Sequence, residues 1–216
     1  MISIADWLKL LFLNIFLDVE VLGVIFSTLY VVFAIKEKPS AWIFGGIGAV
    51  FYIFAYYENK FYADMSLQFY YVAISIYGFW NWKWGKKGVA QVNDPDRSED
   101  PVRSDCLRVS SLSLNQWGWT VLGIVVCFSI YVTILVNFTD SPVAVGDSFT
   151  TAACIVATYL ASKKRLENWL IFIVADVVAI GLYIQKEMYP TVFLFVIYTT
   201  MAVVGYWQWR KERDRL

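Results

Sequence analysis

The chain has 216 residues, 59% hydrophobic and 19% aromatic, with 17% charged, a formal net charge of zero and a mean hydropathy of +0.55. A soluble domain of this length would need more polar surface, and a nucleic-acid binder would carry a basic excess. There is no histidine, and Cys106, Cys127 and Cys154 form neither a CxxC pair nor a disulfide framework, so no metal, cofactor, catalytic residue or enzyme activity is expected.

Residues 1–16 place Asp6, Lys9 and Asn14 among Ile2, Ile4, Trp7, Leu8, Leu11, Phe12 and Ile15. With neither a basic leader nor an A-x-A site, this reads as an interfacial segment rather than a removable signal peptide. Seven apolar runs follow, at about 17–35, 41–57, 67–84, 117–138, 143–160, 169–184 and 190–209. Each is near the length that crosses ~30 Å of hydrocarbon as a helix, so the fold class is all-α integral membrane with seven transmembrane helices. In the second run, Gly45-Gly46-x-Gly48 lacks the lysine and spacing of a phosphate loop and reads as close helix packing or a hinge. The one long polar segment, 85–115, contains Asn93-Asp94-Pro95-Asp96-Arg97-Ser98-Glu99-Asp100-Pro101, a turn-rich loop.

Alternating seven spans across the bilayer puts Lys36, Lys38, Lys83, Lys86, Lys87, Arg97, Arg103, Arg108, Lys163, Lys164, Arg165, Arg210, Lys211, Arg213 and Arg215 on one side. Only Lys9, Lys60 and Lys186 fall on the other. The bias places the long loop and the C-terminus in the cytoplasm and the N-terminus outside.

Shifting the chain against itself by 127 residues, without a gap, superposes two halves. Trp42 falls on Trp169, Tyr56 on Tyr183, Tyr62 on Tyr189, Leu67 on Leu194, Tyr71 on Tyr198, Gly78 on Gly205, Trp80 on Trp207 and Trp82 on Trp209. Lys36, Lys83 and Glu20 fall on Lys163, Arg210 and Asp147. An aromatic belt explains the residue types at the shared ending, Gly-aromatic-Trp-x-Trp-Lys/Arg, but not the common spacing elsewhere. The organisation that follows is a first three-helix repeat at 17–84, the cytoplasmic loop 85–115, a linker helix at 116–138, a second repeat at 143–209 and a tail at 210–216. The linker helix makes the two halves parallel repeats, an architecture of secondary transporters that predicts a substrate pathway between them.

Polar groups inside hydrocarbon are costly and suggest function. Trp169, Phe172, Asp176 and Tyr183 fall at i, i+3, i+7 and i+14, on one face of the sixth span. Rings beside a carboxylate suit a flat cationic ring, which stacks while the acid supplies the counter-charge. An ordinary span facing its neighbours also carries aromatics, but it does not account for Asp176, for which no span supplies a Lys or Arg. Glu20 and Asp147, near the outer ends of their spans, are entry or gating candidates or simply hydrated. Gln68, Tyr71, Tyr198 and Gln116 are hydrogen-bonding candidates, for ligand or for neighbouring helices.

The run Leu166-Glu167-Asn168-Trp169, with Phe172 and Asp176, resembles the WxxWxxxN motif of the PnuC family of vitamin transporters. Tyr62-Ala63-Asp64-Met65, Ser75-Ile76-Tyr77-Gly78 and Ser141-Pro142-Val143-Ala144-Val145-Gly146-Asp147 are similar to that family too. Trp169 matches the first Trp, while Phe172 stands where the second Trp is usual and Asp176 where Asn is usual. The resemblance implies a three-plus-one-plus-three, SWEET-like fold in the bacterial inner membrane, assembled as a homotrimer in the lipid bilayer. It also implies facilitated diffusion of a small vitamin, typically nicotinamide riboside, trapped afterwards by a cytoplasmic kinase that need not touch the transporter. Relatives known as PnuT carry thiamine, and others riboflavin or deoxynucleosides. A carboxylate at 176 favours the cations, nicotinamide riboside first and thiamine next, with proton coupling as the mechanistic alternative; no nucleic-acid partner is expected.

Overall fold

The computed structural model describes residues 19–58, 62–85, 107–138, 143–185, 187 and 189–215. The expected interfacial segment 1–16 and most of the long loop lie outside the described residues. Among those described, the chain forms seven helices: α1 (Val19–Ile35), α2 (Ser40–Glu58), α3 (Tyr62–Trp84), α4 (Leu114–Phe138), α5 (Ala144–Ser162), α6 (Asn168–Gln185) and α7 (Tyr189–Asp214). Five of them, α2, α4, α5, α6 and α7, are long and apolar enough to cross a membrane, and α1 contributes a shorter apolar stretch, Val21–Ile35. α3, which carries Asp64, Gln68, Asn81 and Lys83, is not among the five.

The described residues pack as two units, one ending at Phe79 and the other beginning at Trp80. In the first, α1 and α2 meet along glycines. A Cβ at Gly45 would lie 2.9 Å from the Tyr30 ring, one at Gly48 3.1 Å from Ser27 Oγ, and one at Gly23 3.0 Å from the Tyr52 ring. The glycine stripe is therefore a packing surface, which aromatic rings fill: Phe26 on Phe51 at 5.6 Å, Phe33 on Phe44 at 4.8 Å and Tyr30 edge-on to Trp42 at 5.5 Å.

In the second unit the α5–α6 interface is built on small residues. Ala153, Ala157, Leu160, Ile171 and Ala175 form a buried cluster, with Phe172, Leu112, Ile124 and Val156 packed against it. Alanines let two helices approach closely where lipid gives no hydrophobic drive to pair them. At one end of α7, Trp82 and Trp209 lie 5.7 Å apart and Trp209 meets Trp169 edge-on at 5.3 Å. The Trp82 indole N–H donates to Ala161 O (3.0 Å) and Asn81 Nδ2 to Ser162 O (2.9 Å), tying the end of α3 to the end of α5.

The turns after α1 and after α5 match bond for bond at the 127-residue offset. Glu37 N–H donates to Ala34 O and Lys38 N–H to Phe33 O; Lys164 N–H donates to Ala161 O and Arg165 N–H to Leu160 O. Glu37 and Lys164 both take positive φ, 55° and 50°, the left-handed residue that lets a helix end by folding its next amide back on the last turn. Trp42 N–H then donates to Pro39 O, and Trp169 N–H to Leu166 O. Each tryptophan lies over the glycine the sequence pairs with it: a Cβ at Gly78 would come within 2.4 Å of the Trp42 ring, and one at Gly205 within 2.8 Å of Trp169. In both places a substitution would have to displace an indole.

Candidate functional site

The face of α6 is fixed at its start. Asn168 Nδ2 bonds Arg165 O, and Trp169, 4% exposed, is wedged between Gly205 and Trp209. Phe172 follows one turn on, its ring 6.5 Å from that of Trp169 and inclined at 55°. The indole Nε1 of Trp169 and Oδ1 of Asn168 are buried and make no hydrogen bond among the described residues.

Asp176 lies seven residues beyond Trp169, about 10 Å along the axis, and is 7% exposed between Ala175 and Ala179, which are buried as well. No hydrogen bond or ion pair joins its carboxylate to a described residue. A buried carboxylate without a cation is expensive and is stabilised by whatever positive group comes to it.

Seven residues further, Tyr183 stacks on Phe195 of α7 at 5.3 Å and 25°, and Phe195 meets Tyr198 edge-on at 6.2 Å. The second unit thus sets an acid between two aromatic groups, Trp169 with Phe172 on one side and Tyr183, Phe195 and Tyr198 on the other. Phe195 and Trp209 were not legible as site residues. Trp209 shows in the sequence only as part of the shared ending, and Phe195 has no signal of its own, because its role depends on which helix lies opposite Tyr183.

The remaining candidates are dispersed. Gln116 begins α4, where its Oε1 accepts Ser113 N–H (3.0 Å) while its own N–H donates to Ser113 Oγ, a reciprocal cap that occupies the side chain. Asp147 is half-buried in the first turn of α5, where the helix dipole favours an acid. Glu20 is in the first turn of α1 and its side chain is outside those described. Gln68 and Tyr71 belong to the first unit: Gln68 is buried, and Tyr71 packs on Tyr70 at 5.5 Å. Among the described residues no group of His, Cys, Asp and Glu is arranged to hold a metal.

Several known proteins are similar to this chain. The nicotinamide riboside transporter PnuC of Neisseria mucosa is 28% identical over 190 residues, covering 85% of this chain and 68% of that protein. Its counterpart in Escherichia coli is 22% identical, covering 91% and 87%, and that of Haemophilus influenzae is 24% identical, covering 85% and 75%. The crystal structure of the vitamin B3 transporter PnuC superposes with a TM-score of 0.67 at 25% identity, over 91% of this chain and 82% of that one. The family model described as nicotinamide mononucleotide transporter matches residues 18–211, nearly the whole chain. The protein therefore belongs to this PnuC family, whose members are multi-pass membrane transporters of vitamins and not enzymes.

Proposed function

We propose that the protein imports a small cationic aromatic vitamin precursor, most simply nicotinamide riboside, by facilitated diffusion, with trapping by a cytoplasmic kinase. The observation that carries this is Asp176, buried within α6 with no cation bonded to it among the described residues and with aromatic rings on either side along the helix. A cationic ring supplies the missing charge and stacks on the flanking rings, each aromatic contact contributing about 0.5–2 kcal/mol. Relatives named as nicotinamide riboside transporters support the choice of substrate. Thiamine is the second reading: Phe172 and Asp176 depart from the Trp and Asn usual in the motif, which leaves the choice between cationic vitamins open, and thiamine too presents a cationic ring.

The proposed architecture is three-plus-one-plus-three and SWEET-like. Parallel halves at 17–84 and 143–209 flank the linker helix, with the N-terminus outside and the C-terminus in the cytoplasm of a bacterial inner membrane. The bond-for-bond match of the two turns and the two Trp–Gly contacts support a repeat, and the fifteen-to-three partition of basic residues supports the orientation. A homotrimer follows from the family resemblance.

Purified protein in vesicles, given labelled nicotinamide riboside or thiamine with and without a proton ionophore, tests the proposal. Uptake of nicotinamide riboside that runs to equilibrium and survives the ionophore agrees with it. Uptake that stops with the ionophore makes the transporter proton-coupled, and uptake of neither vitamin refutes the substrate class.

A further inference from the structure

We infer that the segment 109–113, the last part of the long loop before α4, is a strap that positions Trp169, and that Glu167 is the residue through which it acts; this rests on the reading of Trp169 as part of the site. The strap lies along the α5–α6 turn as a short parallel bridge: Ser110 N–H donates to Lys164 O (3.1 Å) and Leu166 N–H to Ser110 O (3.0 Å). Arg165 Nη1 bonds Ser110 Oγ (3.0 Å) and Ser111 O (3.2 Å), while Arg213 of α7 reaches Ser111 Oγ (2.6 Å). Val109 is buried, and Leu112 packs on the same alanine cluster as Phe172.

Glu167 joins strap and helix. Its Oε1 accepts Leu112 N–H at 3.0 Å, and its main-chain carbonyl accepts Ile171 N–H at 3.2 Å, a bond of the first turn of α6. One residue therefore holds the strap with its side chain and the turn carrying Trp169 with its backbone. The repeat-related position in the first half is Ser40, whose side chain is too short for this reach, and the buried Ala49 stands there where α6 has Asp176. The strap serves the half that carries the acid. Oε2 of Glu167 is buried and makes no hydrogen bond among the described residues, so an amide in place of the carboxylate keeps the one bond that matters.

Hydrogen exchange on the full-length protein, with no ligand present, tests this first. Leu112→Pro removes the donor, Glu167→Ala removes the acceptor and Glu167→Gln keeps it. The first two should each speed exchange at Asn168, Trp169 and Ile171 about tenfold while leaving mid-α5 amides unchanged; the double variant should go no further, and Glu167→Gln should stay within about twofold. Calorimetry with nicotinamide riboside should then show Kd raised about tenfold in the first two variants and restored in Glu167→Gln, as expected when a positioning contact is lost and regained. Unchanged exchange in both Glu167→Ala and Leu112→Pro overturns the inference, as does faster exchange with an unchanged Kd. If the unmodified protein binds neither nicotinamide riboside nor thiamine, it is the substrate assignment that fails, and the exchange measurement alone decides whether the strap holds this turn.

Discussion

The α1–α2 turn and the α5–α6 turn are built to one plan and differ in what they carry. Both end a helix on a positive-φ residue, fold the next amide onto the same carbonyl and seat a tryptophan over a glycine. Past that point they diverge. Where the second half has Phe172 and Asp176, the first has Gly45 and Ala49, and Tyr30 of α1 packs against Gly45. Where the second has Glu167 and Asn168, the first has Ser40 and Ala41. The same turn leads into close helix packing under Tyr30 in the first half of the sequence and to a buried acid, Asp176, in the second.

Moving that charge should give the largest effect. Ala49→Asp puts a carboxylate at a position 4% exposed that is packed for an alanine, and should destabilise the protein by about 3 kcal/mol, read as a drop in unfolding temperature in detergent. If stability held, the two helix faces would be equally tolerant of charge and the contrast would fail.

The glycines under the indoles come next. Gly78→Ala and Gly205→Ala each force a Cβ into a tryptophan ring and should cost about 1–3 kcal/mol of stability. Only Gly205→Ala should also weaken vitamin binding, because only Trp169 lies in the proposed site. Equal loss of binding in both would show that the site draws on the two tryptophans alike.

Phe172→Trp restores the residue usual in the family and enlarges the stacking surface beside Asp176. It should tighten nicotinamide riboside binding by about 0.5–1.5 kcal/mol, measured by titration, whereas Gly45→Ala should leave the affinity unchanged. Smallest is the relief of the left-handed residues. Glu37→Gly should raise stability by about 0.5 kcal/mol. Lys164→Gly should change it little, since it also gives up the Lys164 ammonium over the Trp82 ring at 4.9 Å.

Hydropathy located the helices because length and apolar run are set by the bilayer: the second run, read as 41–57, is Ser40–Glu58. It ended the last helix too early. α7 continues through Lys211 to Asp214, since a helix leaving the membrane loses apolar character without losing its backbone bonds. The offset of 127 residues gave the pairing of Trp169 with Trp42 and of Gly205 with Gly78, but not that each tryptophan lies on its own glycine. That is a contact between helices and has no local periodicity. Asp176 was legible because a charge in an apolar run stands out. Phe195 was not, being one phenylalanine among 16. The strap was invisible for a similar reason: two residues pairing with a turn some 55 positions away leave no alternation to read.

Calorimetric titration of Asp176→Ala beside the unmodified protein, with nicotinamide riboside and with thiamine, bears most directly on the claim that the second half alone carries the charge that selects the cargo. The unmodified protein should bind at least one of them, and the substitution should weaken that binding by about a hundredfold, as removing one partner of a buried charge pair does. Binding of either vitamin with the same affinity by both proteins would contradict it.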